Sequence, residues 1–287
     1  MLDAFEAPPR PTSTGRRQVW RVEGARAAMR SDSVATEEPL EVRLLAGAQR
    51  QTLAVTMRTP GADFELAAGF LYGEGVLADP GELRRISYCV DPEVDPEQRY
   101  NIVNVELRAA HLPELASLER HFFTSSACGV CGKAGLEALH VRGCSVASGP
   151  AWLTSGLVTS LPDKLRAAQS VFESTGGLHG AGLFTSAGEL LALREDVGRH
   201  NAVDKLIGWA FLQGKLPLAE HIVLVSGRSS YEIMQKCLAA GVPVVCAVSA
   251  PSSLAVTLAE DFGMTLIGFL RGDRFNVYAG RERFVQK

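Results

Sequence analysis

Short apolar runs and amphipathic segments alternate along the last third of the chain. The runs His221–Val225, Val242–Val248 and Met264–Leu270 are rich in aliphatic residues and nearly free of charge, which is typical of buried strands. Between them, Tyr231–Ala240 and Leu254–Phe262 place apolar residues at helical spacing. Because strands joined through helices run parallel, this order predicts a βαβαβ unit whose helices cover the sheet.

The first half of the chain has shorter, more alternating patterns, which predict paired strands and one helix. Predicted strands cover Pro39–Leu45, Gln51–Met57, Ile86–Val90 and Ile102–Leu107. Apolar residues near helical spacing predict a helix over Asp63–Tyr72, with Asp63 as its N-cap. We expect this helix to pack on the strands.

A different pattern begins at Gly177. The segments Leu178–Phe184 and Leu190–Leu193 predict a hairpin that turns at residues 186–188. A helix is expected to begin near Asn201, because Asn201 and Asp204 have the spacing of a capping box, although Asp replaces the usual Glu or Gln. The chain as a whole is therefore predicted to be an α/β protein.

These patterns divide the chain into four predicted parts. Residues 1–15 form a tail that is expected to be disordered, and residues 16–124 form a smaller, β-rich α+β domain. Residues 125–145 form a mobile segment, and residues 146–287 form an α/β domain that contains the βαβαβ unit. Arg16 and Arg17 precede no hydrophobic run, so they indicate the solvated start of a strand and not an export signal.

Composition and charge exclude several functional classes. With 46% hydrophobic residues the chain can build one large or two modest cores, and its net charge of −3 is far from the basic field that nucleic-acid binding needs. The longest uncharged stretch, Cys237–Ala259, is broken by Gly241, Pro243 and Pro251, so it predicts no membrane span. We therefore expect a cytoplasmic protein without nucleic-acid or membrane partners.

Cys128 and Cys131 form the only motif among the six cysteines. Small residues and glycines surround them, from Thr124 to Gly132, and glycine permits close approach and unusual backbone angles. Such a segment can present sulfur to another protein. Lys133 and Arg142 could favour the reactive thiolate if they also lie near it in space.

The residues alone leave four interpretations of this pair open. The thiols could carry sulfur as a persulfide, or they could be unreactive. His121 and His140 flank them, so a zinc site is possible, although closed zinc sites usually have tighter histidine spacing or a second CxxC. A disulfide redox role would favour a CxxC that opens a helix in a small βαβ domain.

The ends of the three predicted parallel strands carry groups that suit anions. They are Ser-Gly-Arg-Ser-Ser at 226–230, Ser-Ala-Pro-Ser-Ser at 249–253 and Leu-Arg-Gly-Asp-Arg at 270–274. Ligands of open parallel sheets bind outside the carboxyl ends of the strands, where hydroxyls, helix N-termini and guanidiniums can meet phosphate. The serines could instead be ordinary caps and the arginines ordinary surface charges. Without a P-loop or GxGxxG motif, ATP or NAD chemistry is unsupported.

Polar residues also cluster between the predicted hairpin and the helix that follows it. His179 lies in a glycine-rich turn, and Asp196 and His200 lie in the segment Glu195–Asn201. Such residues often line a site, because glycines let a ligand approach the backbone. Each of the three could equally organise the backbone without touching a ligand.

Taken together, these segments resemble the formate dehydrogenase accessory sulfurtransferase family (FdhD). The resemblance covers nearly the whole chain after the tail and depends on the order of the motifs. The matching motifs are Ser126–Gly132, Gly177–His179, Glu195–Lys205, Ser226–Ser230 and Arg271–Asn276.

The resemblance implies a cytidine-deaminase-like, three-layer α/β domain at the C-terminus and a smaller N-terminal domain. It does not imply deamination, because zinc deaminases need His-x-Glu and Pro-Cys-x-x-Cys, whereas His179 is followed by Gly180 and Ala181 and no proline precedes Cys128. Members of this family accept sulfur from a cysteine desulfurase. They pass it to Mo-bis(molybdopterin guanine dinucleotide) before the cofactor is inserted into formate dehydrogenase.

The resemblance also implies the site residues. Cys128 matches the cysteine that carries the persulfide, and Cys131 either releases the sulfur or supports the loop. The residues expected to bind the cofactor are Phe269, Leu270, Arg271, Gly272, Asp273, Arg274, Ser226, Gly227, Arg228, Ser229, His179 and His200. GDP is expected to mimic part of the cofactor, and the two guanines of the cofactor suggest a symmetric homodimer.

Two other functions are kept as alternatives. In the first, the protein is a non-catalytic chaperone, whose thiols only hold the molybdenum cofactor or contact the dehydrogenase. In the second, it is a zinc-dependent hydrolase, which stoichiometric zinc in the purified protein would favour.

Overall fold

The structure is a computed structural model that describes residues 10–113, 139, 144–146, 149 and 151–285. Cys128 and Cys131 lie outside the described residues. The same is true of His121, His140 and the two cations near the motif, Lys133 and Arg142.

The larger sheet belongs to the second half of the chain. Its strands are β7 (His179–Thr185), β8 (Leu190–Asp196), β9 (His221–Val225), β10 (Val244–Ala247), β11 (Thr265–Arg271) and β12 (Arg274–Ala279). They lie in the order β12-β11-β10-β9-β7-β8. β9, β10 and β11 are parallel, whereas β7, β8 and β12 are antiparallel to their neighbours. The predicted βαβαβ unit and the predicted hairpin are therefore confirmed.

Helices cover both faces of this sheet. They are α2 (Ser155–Ala168), α3 (Ser170–Thr175), α4 (Arg199–Leu212), α5 (Tyr231–Ala239) and α6 (Ser253–Asp261). Along β9 the side chains alternate, so Val223 packs with α4, α5 and α6, whereas Ile222 packs with α2 on the opposite face. The result is three layers, helix on sheet on helix. No helix in the described part of the chain is long and apolar enough to cross a membrane.

The smaller sheet lies in the first half of the chain. Its strands are β3 (Glu38–Ala46), β4 (Gln49–Arg58), β5 (Leu83–Tyr88) and β6 (Ile102–Leu107), in the order β4-β3-β6-β5. Helix α1 (Asp63–Gly73) packs its leucines on the inward side chains of β3 and β6. Short 3₁₀-helices occupy Pro80–Glu82, Pro96–Asn101 and Arg281–Arg283. The predicted strands and helix of this region are confirmed.

Two further strands precede this sheet and form a sheet of their own. They are β1 (Thr14–Glu23) and β2 (Arg26–Ala35), which pair antiparallel along their full length. Arg16 and Arg17 are exposed on β1, so the expectation of a solvated strand start is confirmed.

Helices α1 and α4 join the two halves of the molecule through a crossing of unusual closeness. A Cβ atom at Gly69 would lie 1.9 Å from the carbonyl oxygen of Asp204, and one at Gly208 would lie 1.8 Å from that of Glu65. Only glycine allows backbones to approach this closely. Tyr72 and Phe211 flank the crossing, with ring centroids 5.3 Å apart.

Both predicted helix caps are wrong. Helix α1 begins at Asp63 after Ala62, and the Asp63 carboxylate binds the buried Arg58 guanidinium at 3.1 Å. Helix α4 begins two residues before Asn201, with Gly198 as its N-cap. Asn201 and Asp204 are buried within the helix and bond to other elements, because tertiary partners compete for the side chains that capping would use.

Candidate functional site

The site lies at one edge of the six-stranded sheet, where several chain segments converge. Because β9, β10 and β11 are parallel, their carboxyl ends meet at the same edge. β7 runs antiparallel to β9, with Ala181 opposite Val225, so the start of β7 lies at this edge too. β8 pairs with β7 and ends there at Asp196. The sheet topology thus brings together the three predicted anion-binding segments and both candidate histidines.

Backbone hydrogen bonds connect these segments into a continuous rim. The Ser226 amide donates to the Gly180 carbonyl at 2.9 Å, and the Gly180 amide donates to Ser226 Oγ at 2.9 Å. The Ser252 amide donates to the Ser229 carbonyl at 3.0 Å. The Phe269 amide donates to the Ser249 carbonyl at 3.1 Å, which attaches the third segment to the second.

The turn between β11 and β12 places two cations side by side at this rim. Arg271 and Arg274 are direct cross-strand partners, and both side chains are exposed. Like charges opposite each other repel and destabilise a strand pair, so an anion bound between the two guanidiniums would relieve this repulsion. The Nε of Arg271 donates to the Val248 carbonyl at 3.2 Å, which aims this guanidinium along the rim.

Phe269 is an unusual residue of β11, two positions before Arg271. Its φ of 52° lies in the left-handed region, which aromatic residues rarely adopt, and the residue is 40% exposed. Strained backbone of this kind clusters at ligand sites, where the surrounding structure holds it in place. An exposed ring fixed in this way offers a flat surface on which an aromatic base can stack.

The two candidate histidines lie at the opposite end of the rim. A Cβ atom at Gly227 would lie 3.2 Å from Nδ1 of His179 and 3.8 Å from Cβ of Arg199, so a larger residue at this position would press on the imidazole. Burial lowers the pKa of His179, and the nearby Arg199 charge lowers it further. His179 is therefore a neutral imidazole at pH 7 beside a cationic guanidinium.

His200 connects Ser230 to Glu232. Its Nε2 lies 3.1 Å from Ser230 Oγ, and its Nδ1 lies 3.5 Å from Glu232 Oε2. Burial lowers the pKa of His200 to about 4, although the Glu232 carboxylate acts in the opposite direction. At neutral pH the ring is uncharged, so it orients the Ser230 hydroxyl by hydrogen bonding and adds no positive charge to the rim.

The segments 226–230 and 249–253 each precede a helix, and they differ in whether a serine side chain caps that helix. Ser252 is an ordinary N-cap, because its Oγ accepts a hydrogen bond from the Ala255 amide at 3.2 Å. Ser230 stands at the N-cap of α5 without capping it, since its hydroxyl faces His200. Ser229 is fully buried, and within the described residues its Oγ has no hydrogen-bond partner. The first amides of α5 are therefore available to a ligand, whereas those of α6 are partly used.

Asp196 organises the backbone next to the site. Its carboxylate is fully buried and lies 2.7 Å from Lys205 Nζ. It also accepts hydrogen bonds from the amides of Thr59 and Gly198 and from Asn201 Nδ2, at 2.8 to 3.1 Å. With its oxygens occupied in this way, Asp196 anchors β4 to the start of α4 and takes the structural role that the sequence left open.

A second buried charge network lies under the histidines and was not predicted from sequence. Lys236 Nζ is 2.9 Å from Asp204, 3.6 Å from Glu232 and 4.0 Å from Glu74. These carboxylates raise the pKa of Lys236, whereas burial raises that of Asp204 to about 7. Glu232 thus binds both Lys236 and His200. The spacing of Glu232 and Lys236, one helical turn apart, was the signal available in the sequence.

The other predicted cofactor-binding residues differ in how exposed they are. Arg228, Gly272 and Asp273 are exposed at the rim. Leu270 is fully buried in the core between the sheet and α2, so its side chain serves packing and only its main chain can reach a ligand. Among the described residues, no group of three or more histidine, cysteine or acidic side chains is arranged to hold a metal ion.

A family model described as the FdhD/NarQ family matches residues 35–285 of the chain. A protein of Streptomyces avermitilis named "Sulfur carrier protein FdhD" is 53% identical over 275 residues, which cover 95% of this chain and 96% of that protein. Proteins of the same name are 47% identical in Mycobacterium tuberculosis, over 95% of this chain and 99% of that protein, and 45% identical in Sulfurisphaera tokodaii, over 93% and 98%.

A solved structure gives the same picture of the fold. The crystal structure of a proposed formate dehydrogenase accessory protein from Desulfotalea psychrophila superposes with a TM-score of 0.71 at 25% sequence identity. The alignment covers 96% of this chain and 100% of the other chain.

Proposed function

The chain belongs to the FdhD/NarQ family, and we propose that it carries sulfur as a persulfide on Cys128 and delivers it to the molybdenum cofactor of a formate dehydrogenase. The names of its relatives support sulfur carriage, and that of its structural neighbour supports an accessory role to formate dehydrogenase. The cysteine desulfurase as sulfur donor and the cytoplasm as location are parts of the same proposal. So is the assignment of the three-layer domain to the cytidine-deaminase-like folds.

The observation that carries the proposal is the composition of the rim. A strained, exposed phenylalanine precedes a pair of arginines that form no ion pair among the described residues, and an uncapped helix N-terminus lies on the same rim. A purine base, a diphosphate and further phosphate oxygens would satisfy these groups together. Mo-bis(molybdopterin guanine dinucleotide) contains all of them, and GDP contains the part that would occupy the rim.

We propose that the sulfur moves in two thiol exchange steps, the second of which uses Cys131. The Cys128 thiolate attacks the outer sulfur of the desulfurase persulfide, forming a new S–S bond while the desulfurase cysteine leaves as a thiolate. The Cys131 thiolate then attacks Cys128 Sγ, so that the outer sulfur leaves as hydrosulfide to become a ligand of molybdenum. The resulting Cys128–Cys131 disulfide returns to two thiols at the expense of a cellular dithiol.

A symmetric dimer is part of the proposal. The cofactor carries two guanine nucleotides, and each copy of the chain provides one rim. A two-fold axis would present one rim to each nucleotide, which agrees with the prevalence of two-fold symmetry among oligomers.

Sulfur loading tests the first half of the proposal. After incubation with a cysteine desulfurase and cysteine, mass spectrometry of wild-type protein should reveal an adduct of about 32 Da on the peptide that contains Cys128. Cys128→Ala should abolish it, and Cys144→Ala is the matched control, since Cys144 is the least buried of the described cysteines. An undiminished adduct in Cys128→Ala would reject the assignment. A protein that binds cofactor but never loads sulfur would be a chaperone.

Nucleotide binding tests the second half. Calorimetric titration with GDP should give an affinity that falls about 10- to 100-fold in Arg271→Ala and in Arg274→Ala, because each removes a charge-assisted contact to phosphate. Arg281→Ala removes an exposed arginine outside the rim and should leave the affinity unchanged. Unaltered binding in both rim variants would show that the nucleotide binds elsewhere. Stoichiometric zinc in the purified protein would favour the hydrolase alternative.

A further inference from the structure

The hairpin of β1 and β2, residues 14–35, projects from the rest of the molecule, and we call it the arm. Ten cross-strand pairs join its strands, from Thr14 opposite Ala35 to Glu23 opposite Arg26. At about 3.3 Å per residue the arm is about 33 Å long. Its side chains are exposed from Trp20 to the tip and back to Asp32. An isolated two-stranded hairpin is marginally stable in water, so an arm of this length points to a surface that covers it.

The two faces of the arm differ in chemistry. Alternation along the paired strands places Trp20, Val22 and Met29 on one face, where they are 64%, 61% and 56% exposed. The opposite face carries four of the arm's arginines together with both of its acidic residues, and its net charge is +2. These residues are Arg17, Arg21, Arg26, Arg30, Glu23 and Asp32. With five arginines and two acidic residues, the arm has a net charge of +3 in a chain whose total is −3.

An acidic loop follows β5. Residues 90–98 contain four carboxylates, at Asp91, Glu93, Asp95 and Glu97, and begin with Val90, which is 80% exposed. The only cation that pairs with this loop in the described structure is Arg50, 3.9 Å from Asp91. The loop is therefore an exposed negative surface whose charge is opposite in sign to that of the arm.

The arm and the acidic loop start from the same end of the molecule. Arg10, four residues before the arm, lies over the rings of Tyr88 and Tyr100, at 5.7 Å and 5.9 Å from their centroids. These two tyrosines flank the acidic loop. Among the described residues, no ion pair joins the arm to the acidic loop of the same chain. The ion pair found within the arm joins Arg21 to Glu23.

We propose that the basic face of the arm docks on the acidic loop of a second copy of this chain. Because the arm and the loop lie at the same end, a two-fold axis there repeats the contact, with each arm on the loop of the other copy. The two apolar faces can then cover each other near the axis. This interface deepens the dimer of the proposed function by naming its surface, and it involves no residue of the rim.

Reciprocal charge reversal tests this interface directly. Arg21→Glu with Arg30→Glu changes the charge of the arm from +3 to −1, and Asp91→Arg with Glu93→Arg and Glu97→Arg changes the charge of the loop from −4 to +2. Either variant alone places like charges at both contacts, so its dimer dissociation constant should rise about 100-fold or more. In an equimolar mixture of the two, both contacts pair opposite charges, and a heterodimer of near wild-type affinity should form.

Analytical ultracentrifugation over a range of concentrations at low and high salt provides the readout. Wild-type affinity should weaken with salt, as expected for exposed charges. The control variant Lys215→Glu with Arg281→Glu changes the net charge by the same amount as the arm variant, at exposed positions outside the arm and loop, and it should dimerise like the wild type. GDP affinity per chain should be equal in all variants, which separates this inference from the proposed function.

Three results would overturn the inference. The wild type could be monomeric at every concentration, or both reversed variants could dimerise as strongly as the wild type. The mixture could also associate no better than either variant alone. If a monomeric wild type instead bound an acidic protein through the arm, that protein and not a second copy would be the occupant.

Discussion

Gly208→Ala should separate the two halves of the molecule at the crossing of α1 and α4. The new methyl group would lie 1.8 Å from the Glu65 carbonyl oxygen and 2.7 Å from the Gly69 amide nitrogen. Both neighbours are main-chain atoms of a helix, so no side-chain rotation can relieve the contact. The helices themselves must move apart.

The expected loss of stability follows from how far the new methyl group would overlap the Glu65 carbonyl oxygen. Ordinary contacts begin at 3.4 Å, so the helices would have to part by about 1.6 Å, which exceeds the gap that already forfeits half of a dispersion contact. Overpacking and lost contacts should cost about 3 kcal/mol or more, and the better helix propensity of alanine returns about 1 kcal/mol. We expect a net loss of about 2 kcal/mol or more in the free energy of unfolding.

Urea unfolding monitored by circular dichroism measures this loss. Gly156→Ala is the matched control, because Gly156 is an exposed helical glycine and its new methyl group would have nothing within 4 Å. That variant gains propensity without a clash, so it should be as stable as the wild type or up to about 1 kcal/mol more stable. If Gly208→Ala matched Gly156→Ala, the close crossing of the helices would be refuted.

Three further predictions concern the site and its supports. Lys205→Met should lower the free energy of unfolding by about 3 to 5 kcal/mol, because it leaves the buried Asp196 carboxylate without its cation. Urea titration measures this loss, and Lys215→Met, at an exposed position, is the control that should change stability little. The pKa of His200 is lowered from 6.5 to about 4, so the unfolded state binds the proton more readily than the folded state. The free energy of unfolding should therefore fall by about 3 kcal/mol in all as the pH is lowered from 6.5 to about 4. His200→Asn should lack this loss, and equal pH dependence in both proteins would contradict the reasoning. Phe269→Gly should be about 1 kcal/mol more stable than Phe269→Ala, because glycine adopts the left-handed backbone conformation of residue 269 without strain. Both variants should bind GDP more weakly than the wild type in calorimetry. Equal stability of those two variants would argue against the strain.

The sequence by itself determined most of the secondary structure. The sequence correctly predicted β9, β10 and β11 and the helices between them. A parallel sheet is buried on both faces, so its strands are continuous runs of aliphatic residues that can be recognised from the sequence alone. The convergence of residues 226–230, 249–253 and 270–274 followed from the same pattern, since parallel strands must place their carboxyl ends at one edge.

The tertiary structure decided which polar groups meet. Asp63, Asn201 and Asp204 have the residue types of helix caps, yet each is used by a partner from another element. Asp196 bonds to the Thr59 amide across 137 residues of sequence, and no local pattern encodes that distance. Periodicity is a property of the backbone and can be read locally, whereas the pairing of buried charges depends on which elements the packed core brings into contact.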